Sequence, residues 1–277
     1  MVLREPDMAR DDSFERYLNI LGVANARPDL DSLRRIVRAQ LIRVPFENVS
    51  KLHLALAREL RDVPSLGLYL DGIEQHRFGG TCYSNNHHLA SLLRYVGFDA
   101  SYCGADMVSG ADVHAVVIVR LEGREYLIDV GYGAPFYGPM ARDIDEPLAI
   151  RLGTNRYALQ PRDECGRSRM EHHRGGRQVH GYLAKPTPRD LSFFDEVVRA
   201  SFLPAASFMT RLRIARFFDD GNAELLRDRL IRTRGDDCSV ESIPNRVALI
   251  DAVVEHFDMT PSIVRDVVGG IDWPPEG

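Results

Sequence analysis

Cys82 follows Gly79-Gly80 and stands just ahead of an apolar stripe at helical spacing. A nucleophilic thiol must be a thiolate, and the unpaired N–H groups and partial positive charge of a helix N-terminus favour that form. The two glycines let the backbone turn sharply and approach a substrate closely. A free cysteine is also an ordinary core residue, so Cys82 needs partners before it means chemistry.

Two candidates follow in the chain. His114 lies in the strand-like run Val113 to Val119, and Asp129 lies near the end of Arg124 to Val130. Glu122-Gly123 between them reads as a two-residue hairpin turn, which would pair Leu121 with Arg124. In that register His114 faces Gly131 and Asp129 faces Val116. His114 and Asp129 then share a face as diagonal neighbours about 7–8 Å apart, a gap that an imidazole and a carboxylate can bridge. A turn one residue longer would put them on opposite faces. Such a pair can simply satisfy itself inside a core. With a helix-start cysteine upstream it reads instead as a base and its orienter: the carboxylate fixes the tautomer, and the imidazole takes the thiol proton.

The elements that must hold these residues can be read around them. Leu18 and Leu21, then Leu33, Ile36, Val37, Ala39 and Gln40, recur at helical spacing, with Asp29 or Asp31 as the cap of the second helix. A third helix is expected between Val63 and His76, opened by Pro64 and Ser65. The helix after Cys82 begins between Thr81 and Ser84, buries Leu89, Leu92, Leu93 and Val96, and stops at Gly97. From about Ala100 to Gln160 the pattern becomes strands, including Leu148 to Leu152 and Arg156 to Leu159. Residues 162–189 are polar and basic and read as a long loop or edge hairpin. Strands at Met209 to Phe217 and Leu225 to Arg232 and a helix at Asn245 to Phe257 complete an α+β chain of three segments.

Composition narrows the classes. The chain has 277 residues, 44% of them hydrophobic and 27% charged, enough for a sizeable core. A net charge of −5 argues against a nucleic-acid partner. The longest apolar run, Ala115 to Val119, is too short to span a bilayer, so no membrane association is expected. The opening residues mix both charge signs and carry no signal-like apolar stretch, which points to the cytoplasm. Cysteines at 82, 103, 165 and 238 form no CxxC pair and no disulfide framework. His87-His88 and His172-His173 suggest metal only superficially. Adjacent helical residues point about 100° apart, and no metal is expected.

Four motifs in order carry a resemblance. Val44-Pro45-Phe46-Glu47-Asn48, Gly79-Gly80-Thr81-Cys82, Val113-His114-Ala115-Val116 and Leu127-Ile128-Asp129-Val130-Gly131-Tyr132-Gly133 together resemble the arylamine N-acetyltransferase family. Leu203-Pro204-Ala205-Ala206-Ser207-Phe208 extends the likeness more loosely. The resemblance implies a helical bundle over residues 1–85 that ends in the nucleophile motif, a β-barrel over 86–195 and an α/β lid over 196–277. The core would be cysteine-proteinase-like, with Cys82, His114 and Asp129 as its catalytic triad. It implies a ping-pong cycle with acetyl-CoA or another acyl thioester as co-substrate, no permanently bound cofactor, and an amine, hydrazine or N-hydroxyl acceptor.

The family pattern R-G-G-x-C-x-E-x-N is altered here, with Phe78 and Ser84 at the Arg and Glu positions, Asn86 kept and Arg77 one residue early. Losing both members of an ion pair strands no charge, so the fold survives while the pocket beside Cys82 becomes less charged. Phe46, Phe78, Thr81 and Tyr83 are expected to line that pocket. Relatives with the same triad release an acyl chain from a carrier protein, by amide formation or Dieckmann-type cyclisation, which makes an acyl or peptidyl carrier protein an alternative partner. A cysteine hydrolase or transglutaminase shares the chain order Cys, His, Asp. Gly131, Tyr132 and Gly133 could present N–H groups to a CoA pyrophosphate or simply shape a strand exit. Arg167, Arg169, Arg174, Arg177, Lys185 and Arg189 give 162–189 a positive bias that suits a solvated loop or docking of CoA phosphates or an acidic carrier. Cys103 reads as buried filler, and Glu47 and Asn48 as fixing a helix terminus.

Overall fold

The computed structural model describes residues 5–271. Five helices form the N-terminal part: α1 (Glu5–Leu21), α2 (Leu30–Arg43), α3 (Val49–Ala57), α4 (Leu66–His76) and α5 (Cys82–Val96), with a two-residue strand β1 (Phe46–Glu47) between α2 and α3. Asp29 caps α2, its side chain accepting from the Ser32 N–H at 2.7 Å. Ser65 caps α4 in the same way. Gly97 closes α5 in the left-handed region at φ 105°. The apolar stripes of α1, α2, α4 and α5 meet in one core that reaches Ala115, Val117 and Val119 on the neighbouring sheet. Helix α3 is too short to be read as an element from the sequence, although Glu47 and Asn48, expected to fix a helix terminus, stand at its start.

The middle of the chain is an eight-stranded, nearly closed barrel. Its strands are β2 (Asp99–Met107), β3 (Gly110–Leu121), β4 (Arg124–Ile128), β5 (Met140–Ala141), β6 (Leu148–Leu152), β7 (Asn155–Leu159), β8 (Ser168–Arg174) and β9 (Arg177–Pro188), ordered β5-β4-β3-β2-β9-β8-β7-β6. Leu121 pairs with Arg124, and Glu122 and Gly123 both take positive φ, 52° and 77°. This is the two-residue turn that matches strand twist. Residues 162–189 correct the expectation of a loop or edge hairpin. Strands β8 and β9 lie inside the sheet, with β9 hydrogen-bonded to both β2 and β8. Their polar look comes from one face only: Met170, Tyr182 and Ala184 point into the barrel core with Cys103, Val116, Ile118 and Phe136.

A 3₁₀ turn (Leu191–Phe194) and helices α6 (Asp195–Ala200) and α7 (Ser207–Thr210) lead to strands β10 (Arg213–Phe217), β11 (Gly221–Leu226), β12 (Arg229–Arg234) and β13 (Asp237–Ser242), then α8 (Arg246–Phe257) and α9 (Pro261–Gly269). The expected strand at 209–217 begins in helix α7, and the expected strand at 225–232 is two strands broken at Arg227, which turns at φ 59° without a glycine or proline to mark it. Strand β13 is exposed along its whole length, so neither of its faces packs into a core. β1 joins the far edge of this sheet, pairing Phe46 with Ala215 and Glu47 with Ile214. Helices α3, α8 and α9 cover it through a separate core of Val49, Leu52, Leu225, Leu249, Val253 and Val264. No helix among the described residues is long and apolar enough to cross a membrane.

Candidate active site

The loop before Cys82 is held by β1. The Glu47 N–H donates to the Gly80 carbonyl at 3.1 Å, and Phe46 forms an isolated parallel bridge with Gly80. The Glu47 carboxylate is fully buried and accepts from two backbone N–H groups, Gly79 at 3.0 Å and Ser50 in the first turn of α3 at 2.8 Å. Burial raises its pKa, against the pull of these donors. A Cβ at Gly79 would stand 1.9 Å from the Pro45 carbonyl oxygen, so only glycine permits this packing. Asn48 does not cap a helix with its side chain. Its amide donates to the Phe208 and Arg211 carbonyls, both at 2.8 Å, and its carbonyl accepts from the Arg213 N–H, which ties the same corner to the start of β10.

A buried chain of hydrogen bonds supports this loop from behind. Tyr17 donates to Gln40, Gln40 to Tyr69, Tyr69 to Asn85, and Asn85 to the Pro45 and Gly80 carbonyls. Cys82 is the first residue of α5, a buried free thiol at the edge of a cleft.

The β3–β4 register brings His114 and Asp129 onto one face, and His114 Nε2 lies 2.8 Å from Asp129 Oδ2, with both side chains excluded from solvent. Nδ1 is left free, and Cys82 lies near enough to favour the charged ring. Asn86, one turn along α5 from Cys82, donates to Asp129 Oδ1 at 2.9 Å and to the Ala115 carbonyl at 2.7 Å, and accepts from the Val130 N–H. The helix that presents the thiol therefore also anchors the carboxylate. Burial opposes charge on His114, but the charge and hydrogen bond of Asp129, with Cys82 beside it, outweigh burial and push the imidazole up to about 10. Burial likewise pushes Asp129 up, and His114, Asn86 and the Gly131 N–H more than reverse it, leaving the carboxylate low. The arrangement sets Cys82 beside an imidazole whose charged form is favoured and whose far nitrogen is locked.

The cleft encloses about 520 Å³. Phe46, Thr81, Tyr83, Gly131 and Tyr132 line it, along with Met107 and Val113 from the barrel and Phe208 from α7. Phe78 does not. It turns into the core beneath α3, with its ring 5.2 Å from that of His76 and 5.8 Å from that of His53. Phe78 and Ser84 are both buried.

Gly131 is needed for closeness, since a Cβ there would lie 2.5 Å from the Cys82 Cα. Its N–H is spent on Asp129 Oδ1 at 3.0 Å, which leaves it unavailable to a phosphate. Gly133 packs against the Phe46 ring at φ 75°, outside the cleft lining. Tyr132 points its hydroxyl at His180 Nδ1, 2.6 Å away. Three of the basic residues of 162–189 are already paired, Arg162 with Glu125, Arg167 with Asp163, and Lys185 with Asp106 and Asp112. Cys103 is fully buried in the barrel, and burial pushes its thiol up to about 11.

Sequence reasoning alone did not single out Lys51, His180, Ser201 or Arg213, which also line the cleft. Lys51 and Ser201 sit on or beside helices too short for their pattern to stand out. The spacing of Asn86 from Cys82, one helical turn, was the available signal for its role.

A family model described as N-acetyltransferase matches residues 29–262. The chain is similar to the arylamine N-acetyltransferase of Mycolicibacterium smegmatis, 28% identical over 274 residues that cover 91% of this chain and 94% of that one. It is also similar to arylamine N-acetyltransferase 1 of Bos taurus, 31% identical over 160 residues covering 54% of this chain and 50% of the bovine one. The match thus spans about half the bovine relative's length and nearly all of the bacterial one. Among solved structures, the arylamine N-acetyltransferase of Mycobacterium marinum in complex with CoA superposes with a TM-score of 0.77 at 20% identity, covering 94% of this chain and all of that one. At that identity the likeness is one of fold.

Proposed function

The chain belongs to the N-acetyltransferase family that includes the arylamine N-acetyltransferases, and on that premise we propose that it moves acyl groups through Cys82, with His114 as base and Asp129 as orienter. The observation that supports this most directly is the 2.8 Å contact of His114 Nε2 with Asp129, which leaves Nδ1 for a thiol at the start of α5. The donor we assign is a thioester such as acetyl-CoA, in keeping with the CoA held by the structural neighbour. The acceptor is an amine, hydrazine or N-hydroxyl compound.

In the first half of the cycle the Cys82 thiolate attacks the thioester carbonyl carbon. The bond to the donor sulfur breaks, and the departing thiolate takes the Nδ1 proton of His114. In the second half the acceptor nitrogen attacks the acyl-Cys82 carbonyl. His114, now neutral, takes the proton that the nitrogen sheds, and the Cys82 thiolate leaves. Asp129 changes no bond; it keeps the ring in one tautomer and stabilises its charge.

Incubation with acetyl-CoA followed by intact-mass measurement should show one adduct of about 42 Da, the gain expected for one acetyl group on one nucleophile. The adduct should vanish in Cys82→Ala and form again only when the thiol is restored. Persistence of the adduct in Cys82→Ala would overturn the assignment of nucleophile.

A further inference from the structure

Lys51 reaches into the cleft beside Cys82 from the first turn of α3. Its ammonium donates to Ser201 Oγ at 2.6 Å and sits 3.4 Å above the centre of the Phe202 ring. Ser201 Oγ in turn donates to the Val198 carbonyl, so it is fixed as an acceptor. These contacts hold the ammonium in place but bring no negative charge. Among the described residues that line the cleft none is an aspartate or glutamate. Arg213 is a second cation in the lining, and its charge lowers the Glu224 pKa against the upward push of burial.

Burial pulls the Lys51 pKa down to about 8, and the one opposing influence is the negative charge of a Cys82 thiolate. The reaction removes that charge, together with the positive charge of the His114 imidazolium, so Lys51 loses the negative partner that raised its pKa. Once Cys82 carries an acyl group its sulfur is part of a neutral thioester, and a lysine still protonated is left as a buried, unpaired cation. Such a state is costly. An acyl group that brings its own carboxylate removes the cost, because it returns a negative charge to the place where the thiolate charge disappeared.

Resting on the acyl-transfer reading above, we infer that Lys51 is a specificity residue that recognises a carboxylate on the acyl chain, so that the preferred donor is the monothioester of a short dicarboxylic acid. The diphosphate of CoA is not a competing explanation for this cation. It is separated from the thioester by the whole pantetheine arm, whereas Lys51 lines the same cleft as Cys82. The step balances as for any donor: the bond from Cys82 to the acyl carbon forms, the bond to the CoA sulfur breaks, and the CoA thiolate leaves with the proton of His114. The distal carboxylate is unchanged throughout.

The test compares second-order rates of Cys82 acylation by acetyl-CoA, malonyl-CoA and succinyl-CoA in the full-length protein, read by quenched intact-mass measurement. The wild-type protein should prefer one of the two dicarboxylic donors by at least about 10-fold. Lys51→Met should lower that preference by about 10- to 100-fold, the worth of one hydrogen-bonded charge pair. The ratio is internal to each protein, so a general loss of folded enzyme cancels. Equal or faster acylation by acetyl-CoA in the wild type would overturn the inference, as would a ratio that Lys51→Met does not move. A second arm measures deacylation of acetyl-Cys82 by 4-aminobenzoate against aniline. If Lys51→Met changes only that ratio, the cation reads the acceptor, and the donor assignment is wrong. No adduct with any of the three thioesters would instead overturn the acyl-transfer reading itself, a result distinct from adducts that form without preference.

Discussion

At the scale of single residues, the site depends on side chains that each serve two partners. Asn86 is the clearest. Replacing it with alanine leaves Asp129 Oδ1, the Val130 N–H and the Ala115 carbonyl short of partners in a dry interior. Each buried group so stranded costs about 1–3 kcal/mol. Asn86→Ala should therefore unfold at lower denaturant than wild type and acylate more slowly, and equilibrium unfolding with single-turnover kinetics would show both. The His114–Asp129 pair makes a second prediction, about pH. A histidine whose folded pKa is raised to about 10 stabilises the fold fully below its unfolded value of about 6.5. That contribution declines as pH rises and is gone above the folded value. The difference in Tm between wild type and His114→Gln should accordingly narrow from pH 7 towards pH 10. A difference that widened over that range would contradict a charged imidazole in the folded state.

At the scale of elements, what could be read in advance was what repeats or what turns tightly. The α5 stripe with its closing Gly97 fixed that helix within a residue, and Glu122-Gly123 fixed the β3–β4 register on which the His114–Asp129 contact depends. Elements that gave no such signal went unread. Helices α3 and α9 span nine residues each. The turn at Arg227 uses no glycine, and strands β8 and β9 hide one apolar face behind arginines and histidines. The placements of Lys51 and Phe78 were lost with α3, since one projects from it and the other packs beneath it. Gly131 shows how closely two elements must meet. An alanine there would force the end of β4 away from the mouth of α5 by about 1 Å, a misplacement that can cost about 100-fold in rate. Gly131→Ala should lower the acylation rate far more than it lowers Tm, and measuring the two together would separate misplacement from unfolding.

At the scale of the whole molecule, the larger cores meet near one corner, where a small fourth cluster of Leu41, Phe46, Ala215 and Phe217 sits. The short β1 strand lies against the nucleophile loop on one side and β10 on the other, while Asn48 holds Phe208, Arg211 and Arg213. Asn48→Ala should loosen the C-terminal sheet from the rest, seen as faster amide hydrogen exchange in β10 and β11 before any change in the barrel. The same corner sets an order of events during synthesis. The ribosome delivers Cys82 about 130 residues before the strand that completes the sheet around Phe46. A nascent chain that has emerged only to the end of the barrel holds the thiol, the imidazole and the carboxylate, yet it lacks β10 and the α7 wall of the cleft. Ribosome-bound chains stopped at that length should stay unlabelled by an acyl thioester, so that reactivity is withheld until α7 and β10 have emerged.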